Sequence, residues 1–254
     1  MLFNRKLLAN HRNYAAKFIQ DPLYSKIWQE GADLLVDAIE IMPILPSNIL
    51  ELGARCGTFT TELVKYYPNS TLTICDLSNK MLELNPSLNK LLLDEDFQLN
   101  SITEKFDLIA SNVNLHFVND PLKFLSEVKG LLSSDGVFIA TCFAESCLHN
   151  FRKALIKMES DIGSKHYNRI IPFIRASDLS QMLLNLGFKN VIVNVNKFDI
   201  ENISCIKLAK YIKNIGEGNI LTNMHNFTIS KKLYPYLKAA ISDHYFIVSI
   251  IASN

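Results

Sequence analysis

Ile49-Leu50-Glu51-Leu52-Gly53-Ala54-Arg55-Cys56-Gly57-Thr58-Phe59 decides the fold. An apolar run enters, an acid follows, and two glycines lie four residues apart. Thr60-Thr61-Glu62-Leu63-Val64 then reads as a helix. Strand, tight glycine turn and helix start describe the first turn of a nucleotide-binding α/β unit. Glycine has no Cβ, tolerates positive φ and lets the backbone approach a ligand. An acid at the strand end can accept from a ligand amine or hydroxyl.

A second apolar strand, Leu72-Thr73-Ile74-Cys75, ends in Asp76. An acid there meets the ribose hydroxyls of a bound nucleoside. It can instead cap the next helix, with Ser78 a second candidate for that role. The glycine turn upstream favours the ligand reading. Working outward, Lys90 to Asp94 reads as a short third strand, Phe106 to Asn112 as a fourth and Val137 to Phe143 as a fifth. Helices fall between them, one opened by Asp120-Pro121 with proline at its first position. Asp135-Gly136 reads as a turn. Such alternation predicts a parallel sheet covered on both faces. Upstream, residues 5–20 and 26–41 read as helices, the second ended by Pro43 and Pro46. Downstream come helices at 147–160 and 177–186, a sixth strand from Phe188 to Val195, a mostly helical stretch over 200–241, and a last strand from Tyr245 to Ile251.

Glu51-x-Gly53-x-x-x-Gly57 followed by a strand ending in Asp76 resembles the class I S-adenosyl-L-methionine (SAM) methyltransferase fold. The resemblance implies a Rossmann-like α/β domain with a seven-stranded mixed sheet, the last strand antiparallel and helices on both faces. It implies SAM as cofactor, held by Glu51, Gly53, Ala54, Gly57, Asp76, Leu77, Asp94, Glu95 and Asn112. The family pattern is Asp/Glu-x-Gly-x-Gly-x-Gly, and Arg55 stands where the middle glycine belongs. The favoured expectation is that the loop keeps its shape and Arg55 points outward; otherwise its side chain fills the methionine end of the cleft.

The chain has 254 residues, 48% hydrophobic and 20% charged, with a formal net charge of +1. That suits one domain, 1–254, with amino-terminal helices at 1–42 and a helical insertion at 200–241 between the last two strands. Long insertions in compact domains usually act as lids or binding segments. Near-neutral charge gives no global field for nucleic acid. Cys56, Cys75, Cys142, Cys147 and Cys205 form no Cys-x-x-Cys pair, so a reducing compartment is expected and a metal site is not. The apolar runs are too short to span a bilayer. The basic, acid-free start (Arg5, Lys6, Arg12, Lys17) reads as a packed helix in preference to a transit peptide.

Stretches beyond the glycine loop resemble the complex I assembly factor 5 type and its bacterial relatives. They are Phe3-Asn4-Arg5, Arg12 to Ala16, Phe106 to Asp120 with Leu115-His116-Phe117, Phe143 to Arg152, Ile171-Pro172-Phe173, Leu186-Gly187-Phe188 and Ile215 to Asn219. Glu145 and Phe117 depart from that pattern, replacing a glycine and a tryptophan. The resemblance implies a protein or small-molecule substrate, including a respiratory complex I subunit, and a cytoplasmic setting or a mitochondrial matrix one in a eukaryote. Arginine hydroxylation is the alternative activity it carries, although no His-x-Asp or His-x-Glu of an iron oxygenase occurs. The malonyl-carrier-protein O-methyltransferase of biotin synthesis is similar over the first 150 residues, and the Gly216–Asn219 segment favours the assembly-factor type. A non-catalytic binding module is the fourth reading, motivated by Arg55. Methyl transfer needs an aligned nucleophile and no dyad, and no catalytic residue is identified; His116, with its near-neutral pKa, is the candidate base.

Overall fold

Two capped helices lead into the sheet. In the computed structural model, which describes residues 1–19, 21–163, 165–222 and 234–254, α1 (Arg5–Ala15) starts at Asn4, whose side chain accepts from the Leu7 amide. Helix α2 (Pro22–Ile41) starts at Asp21, whose carboxylate accepts from the Leu23 amide, with proline at the first helical position. Helix α2 buries Ile27, Trp28, Gly31, Ala32, Leu35, Ala38 and Ile39. Those residues follow the three- and four-residue steps of one helical face.

The remaining elements are β1 (Asn48–Leu52), α3 (Thr58–Tyr66), β2 (Thr71–Asp76), α4 (Asn79–Leu84), β3 (Asn89–Leu92), β4 (Phe106–Ser111), α5 (Pro121–Leu131), β5 (Leu132–Phe143), α6 (His149–Asp161), α7 (Ala176–Asn185), β6 (Lys189–Ser204), α8 (Cys205–Asn214), α9 (Tyr234–Lys238) and β7 (Ala240–Ser253). The sheet order is β3-β2-β1-β4-β5-β7-β6. The five strands from β3 to β5 run parallel, and β7 lies antiparallel to both β5 and β6. The seven-stranded mixed sheet expected from the sequence is present. Strand order reverses between β1 and β4, which opens a crevice at the carboxyl ends of the strands.

Several boundaries differ from the sequence reading; helix α1 ends at Ala15 and not at residue 20. Strand β5 begins at Leu132, which pairs with Phe106; Val137 then pairs with Leu108, so the Asp135-Gly136 turn sits in an irregularity of the ladder. Strand β6 continues past Val195 to Ser204 in a long hairpin with β7, which itself begins at Ala240. Residues 200–204 and 240–241 are therefore strand, and the insertion is shorter than 200–241. Residues 223–233 of that insertion lie outside the described residues, as do Gln20 and Ser164. Among the described residues no helix is long and apolar enough to cross a membrane, and no cluster of His, Cys, Asp and Glu is arranged to hold a metal.

Gly31 sets how closely α2 approaches the crevice. A Cβ there would lie 2.3 Å from the Asn112 Oδ1 and 2.4 Å from a Val113 methyl. Asn112 cannot retreat cheaply, because its amide donates to the Trp28 carbonyl at 2.9 Å and its oxygen accepts from the Thr141 hydroxyl at 3.0 Å. Gly31→Ala is expected to cost about 1–3 kcal/mol through overpacking, read as a lowered urea midpoint at unchanged slope. An unaltered midpoint would mean that α2 backs away freely.

Candidate functional site

The glycine turn keeps its shape through three left-handed residues, Gly53 (φ 65°), Arg55 (φ 50°) and Gly57 (φ 98°). Gly57 occupies the cap position of α3. The Ala54 amide donates to the Cys75 carbonyl at 2.9 Å, which fastens the turn to β2. Asn85 holds it from the other side, donating to the Arg55 carbonyl and, at 2.9 Å, to the Thr60 hydroxyl. Thr60 in turn donates to Glu51 at 2.5 Å. The second Glu51 oxygen is buried without a partner. Burial pushes the Glu51 carboxyl up to about 8, against the pull of the Thr60 bond, so it is mostly protonated at neutral pH.

Asp76 is wholly buried at the end of β2. One of its oxygens accepts from the Ser78 amide at 2.7 Å; the other accepts from the Arg55 amide and from Arg12 Nη1, each at 3.1 Å. Ser78 takes the cap of α4, accepting from the Met81 amide. Arg12 reaches Asp76 from α1 because Arg5, Leu8, Arg12 and Ala15 form the buried face of that helix. The other Arg12 amino group donates to the Asn114 oxygen, and the Asn114 amide donates to Glu95 at 3.0 Å. Arg5 pairs with Asp94 at 2.8 Å and Glu95 at 2.9 Å, and donates to the Phe117 carbonyl. Burial alone would raise the Glu95 carboxyl. The Arg5 and Arg12 charges and the Asn114 bond outweigh it and hold Glu95 at about 2.

A second cluster adjoins the first. The Arg55 guanidinium lies 3.9 Å above the ring of Trp28, the sole tryptophan, and donates through Nη2 to Glu217 at 2.7 Å and to the Val113 carbonyl at 3.2 Å. Arg55 is therefore buried, 4% exposed, and the expectation that it points outward is corrected. Stacking on Trp28 and pairing with Glu217 draw it inward, and neither partner is near it in sequence. Burial and the neighbouring Arg12 charge lower its pKa to about 10, which leaves it charged at neutral pH. Glu217 also meets His116 Nε2 at 2.8 Å. His116 is buried among Phe117, Phe143 and Phe173, and burial lowers its pKa. Its Nδ1 faces the Phe143 amide at 3.5 Å, so Nε2 carries the ring proton and donates to Glu217. Both nitrogens face protein groups and the side chain has no exposed surface, so His116 is not presented as a base in this arrangement.

The turn brings Glu51, Gly53, Ala54, Gly57, Asp76 and Glu95 together, with Asp94 at the rim beside Arg5. Leu77 packs instead in the apolar cluster of Phe3, Leu8 and Phe117. Asn112 is turned toward α2, as described above. The residue facing the turn is Asn114: a Cβ on Gly53 would lie 2.4 Å from its side-chain amide. Sequence reasoning named Arg5, Arg12, Asn114 and Glu217 only within the family-like segments or the basic start, and gave neither them nor Trp28 a place in the site. The seven-residue spacing of Arg5 and Arg12, two turns along one helical face, is the signal that could have found the first two.

The backbone frame matches a nucleoside cleft: glycine turn, buried acid after β2, strand-order reversal. Some side chains occupy positions beside it. Arg12 and two backbone amides already bind the Asp76 carboxylate that ribose hydroxyls would need, and Asn114 covers Gly53.

A family model described as "Methyltransferase domain" matches residues 50–138. The chain is 37% identical over 210 residues to a Rickettsia prowazekii protein named "Putative methyltransferase RP459", covering 82% of this chain and 92% of that one. It is 27% identical over 221 residues to the Rattus norvegicus "Arginine-hydroxylase NDUFAF5, mitochondrial", covering 84% of this chain and 62% of that one. The chain thus spans less than two thirds of that relative's length. Among solved structures, a SAM-dependent methyltransferase from Archaeoglobus fulgidus superposes with a TM-score of 0.50 at 16% identity, covering 88% of this chain and 92% of that one; this likeness concerns the fold.

Proposed function

The chain belongs to the methyltransferase family that contains the Rickettsia protein, and we propose that it transfers a methyl group from SAM to a protein or small-molecule acceptor. The observation that carries the reading is the left-handed Gly53–Gly57 turn beside a wholly buried Asp76, set where the strand order reverses. SAM would supply an activated methyl group when bound. What the chain's own residues do is bind, align and exclude water. In this reading Glu51, Asp76 and Glu95 would meet the ligand's amine, ribose and base. Because the His116 nitrogens are both engaged, proton removal is left to the acceptor's own chemistry.

Complex I as the source of the acceptor is a second, finer reading. It is supported by the NDUFAF5 likeness and by the Gly216–Asn219 segment, whose Glu217 lies against the glycine turn. The cytoplasm, or the mitochondrial matrix in a eukaryote, is the compartment proposed; five free cysteines suit it.

The test is calorimetric titration with S-adenosylhomocysteine, the stable product of the cofactor. Binding of one equivalent is expected, and Asp76→Ala should weaken it by about 1.5–3 kcal/mol through lost charge-assisted hydrogen bonds. Unchanged affinity would remove Asp76 from the site. Incubation of the protein with SAM and candidate acceptor proteins should add the mass of one methylene, and only when SAM is present. Addition of one oxygen mass without SAM would replace methyl transfer by hydroxylation.

A further inference from the structure

Two of the segments that reach into the cleft, α1 and residues 216–222, are fastened to each other. Residues Phe3 and Leu221 form an antiparallel bridge; the Asn4 amide donates to the Ile220 carbonyl at 2.8 Å and the Thr222 amide to the Leu2 carbonyl at 3.0 Å. A Cβ on Gly218 would lie 3.0 Å from the His11 ring, and one on Gly216 would lie 3.2 Å from the Ala15 Cβ. Helix α1 and the 216–222 segment are therefore packed and hydrogen-bonded to one another. Both also send charged side chains into the cleft, and besides Arg5, which pairs with Asp94 and Glu95, two of them matter most. From α1, Arg12 binds Asp76; from the segment, Glu217 binds Arg55 of the glycine turn. The lid formed by α1 and the segment is thus attached to the acid after β2, to the turn after β1 and, through Arg5, to the acids after β3.

We propose that this lid is a latch, held shut by Arg12 in the position of the ribose, and that nucleoside binding and release of α1 are one equilibrium. This rests on the cleft being the SAM site. The physical reason is competition for one carboxylate. Asp76 accepts three hydrogen bonds and has no exposed surface, so ribose hydroxyls can reach it only after the Arg12 guanidinium withdraws. Guanidinium and ribose both satisfy the carboxylate, but they cannot do so in the same space. The apparent affinity is then the intrinsic affinity scaled by the fraction of molecules with the latch released. Since α1 and the 216–222 segment are joined, release of Arg12 also loosens Glu217 from Arg55.

Two measurements on the full chain test this, both with S-adenosylhomocysteine. Hydrogen exchange over residues 5–15 in the wild-type protein should speed up at saturating ligand, and Arg12→Ala should bind the ligand at least about tenfold more tightly than wild type. Slower or unchanged exchange over 5–15 would overturn the latch, as would equal or weaker binding by Arg12→Ala. The wild-type exchange measurement stands if Arg12→Ala does not fold. Binding by both proteins at equal affinity would sink the latch alone. No binding by either protein at millimolar ligand would sink the SAM reading and the latch together.

Discussion

Glu217→Ala is expected to cost about 3–5 kcal/mol of folding stability, and most of that cost should vanish when Arg55 is glycine. Glu217 is the one carboxylate within ion-pair distance of the Arg55 guanidinium among the described residues. Removing it leaves a buried cation unbalanced, the situation in which breaking a buried pair is most damaging. Arg55 already carries two buried nitrogens with no hydrogen-bond partner, so it has little to fall back on beyond the Trp28 ring and the Val113 carbonyl. In Arg55→Gly the cation is gone and the left-handed backbone is occupied by the residue that tolerates it, relieving about 1–3 kcal/mol of strain. Glu217→Ala then loses only its contact with His116. A urea-denaturation cycle of wild type, both single variants and the double variant measures the coupling. Equal costs of Glu217→Ala in the two backgrounds would show that Arg55 and Glu217 are not energetically paired.

The second large effect is on pH dependence, through Glu51. Its native carboxyl titrates near 8, against an ordinary value of 4.5. Between those values the unfolded chain has released the proton that the native chain keeps. Stability therefore falls as pH rises through that window. Wild type should lose up to about 4 kcal/mol between about pH 5 and about pH 8 from this group. Glu51→Gln mimics the protonated form, can still accept from Thr60, and should flatten this limb, leaving the variant more stable than wild type at the higher pH. Glu95 has the opposite sign. Held at about 2, it contributes stability that is lost as pH falls from its ordinary value of 4.5. Denaturation of wild type and Glu51→Gln at the two pH values separates the effects; parallel profiles would mean that native Glu51 is ionised at neutral pH.

The strands and the glycine turn were legible because their signals are local. An apolar run, an acid and two glycines lie within nine residues, and short links force the alternation. What was not legible is held by contacts across the chain. Arg12 and Asp76 are 64 residues apart, and Arg55 and Glu217 are 162 apart. Nothing near Arg55 in the sequence says that Trp28 from one side and Glu217 from the other will draw it inward, so outward was the simpler expectation for a long cation in a loop. The tail of β6 escaped for a different reason. Past Val195 the hairpin runs beyond its pairing with β5, and at Asn196-Lys197 the apolar alternation changes phase, from Val191, Val193 and Val195 to Phe198 and Ile200, which breaks the pattern read as one strand. His116 was visible as a candidate base, but its engagement on both ring nitrogens depends on β5 and on the segment after α8. Gly216–Asn219 stood out as a motif. That its glutamate reaches the cofactor turn required the fold.

A crystal structure of the protein with S-adenosylhomocysteine tests the central claim most directly. The account predicts the nucleoside at the carboxyl ends of β1, β2 and β4, with the ribose hydroxyls on Asp76 and the Arg12 guanidinium displaced from it. A ligand bound elsewhere, or a cleft at saturating ligand in which Arg12 still pairs with Asp76 and no nucleoside is present, would contradict it.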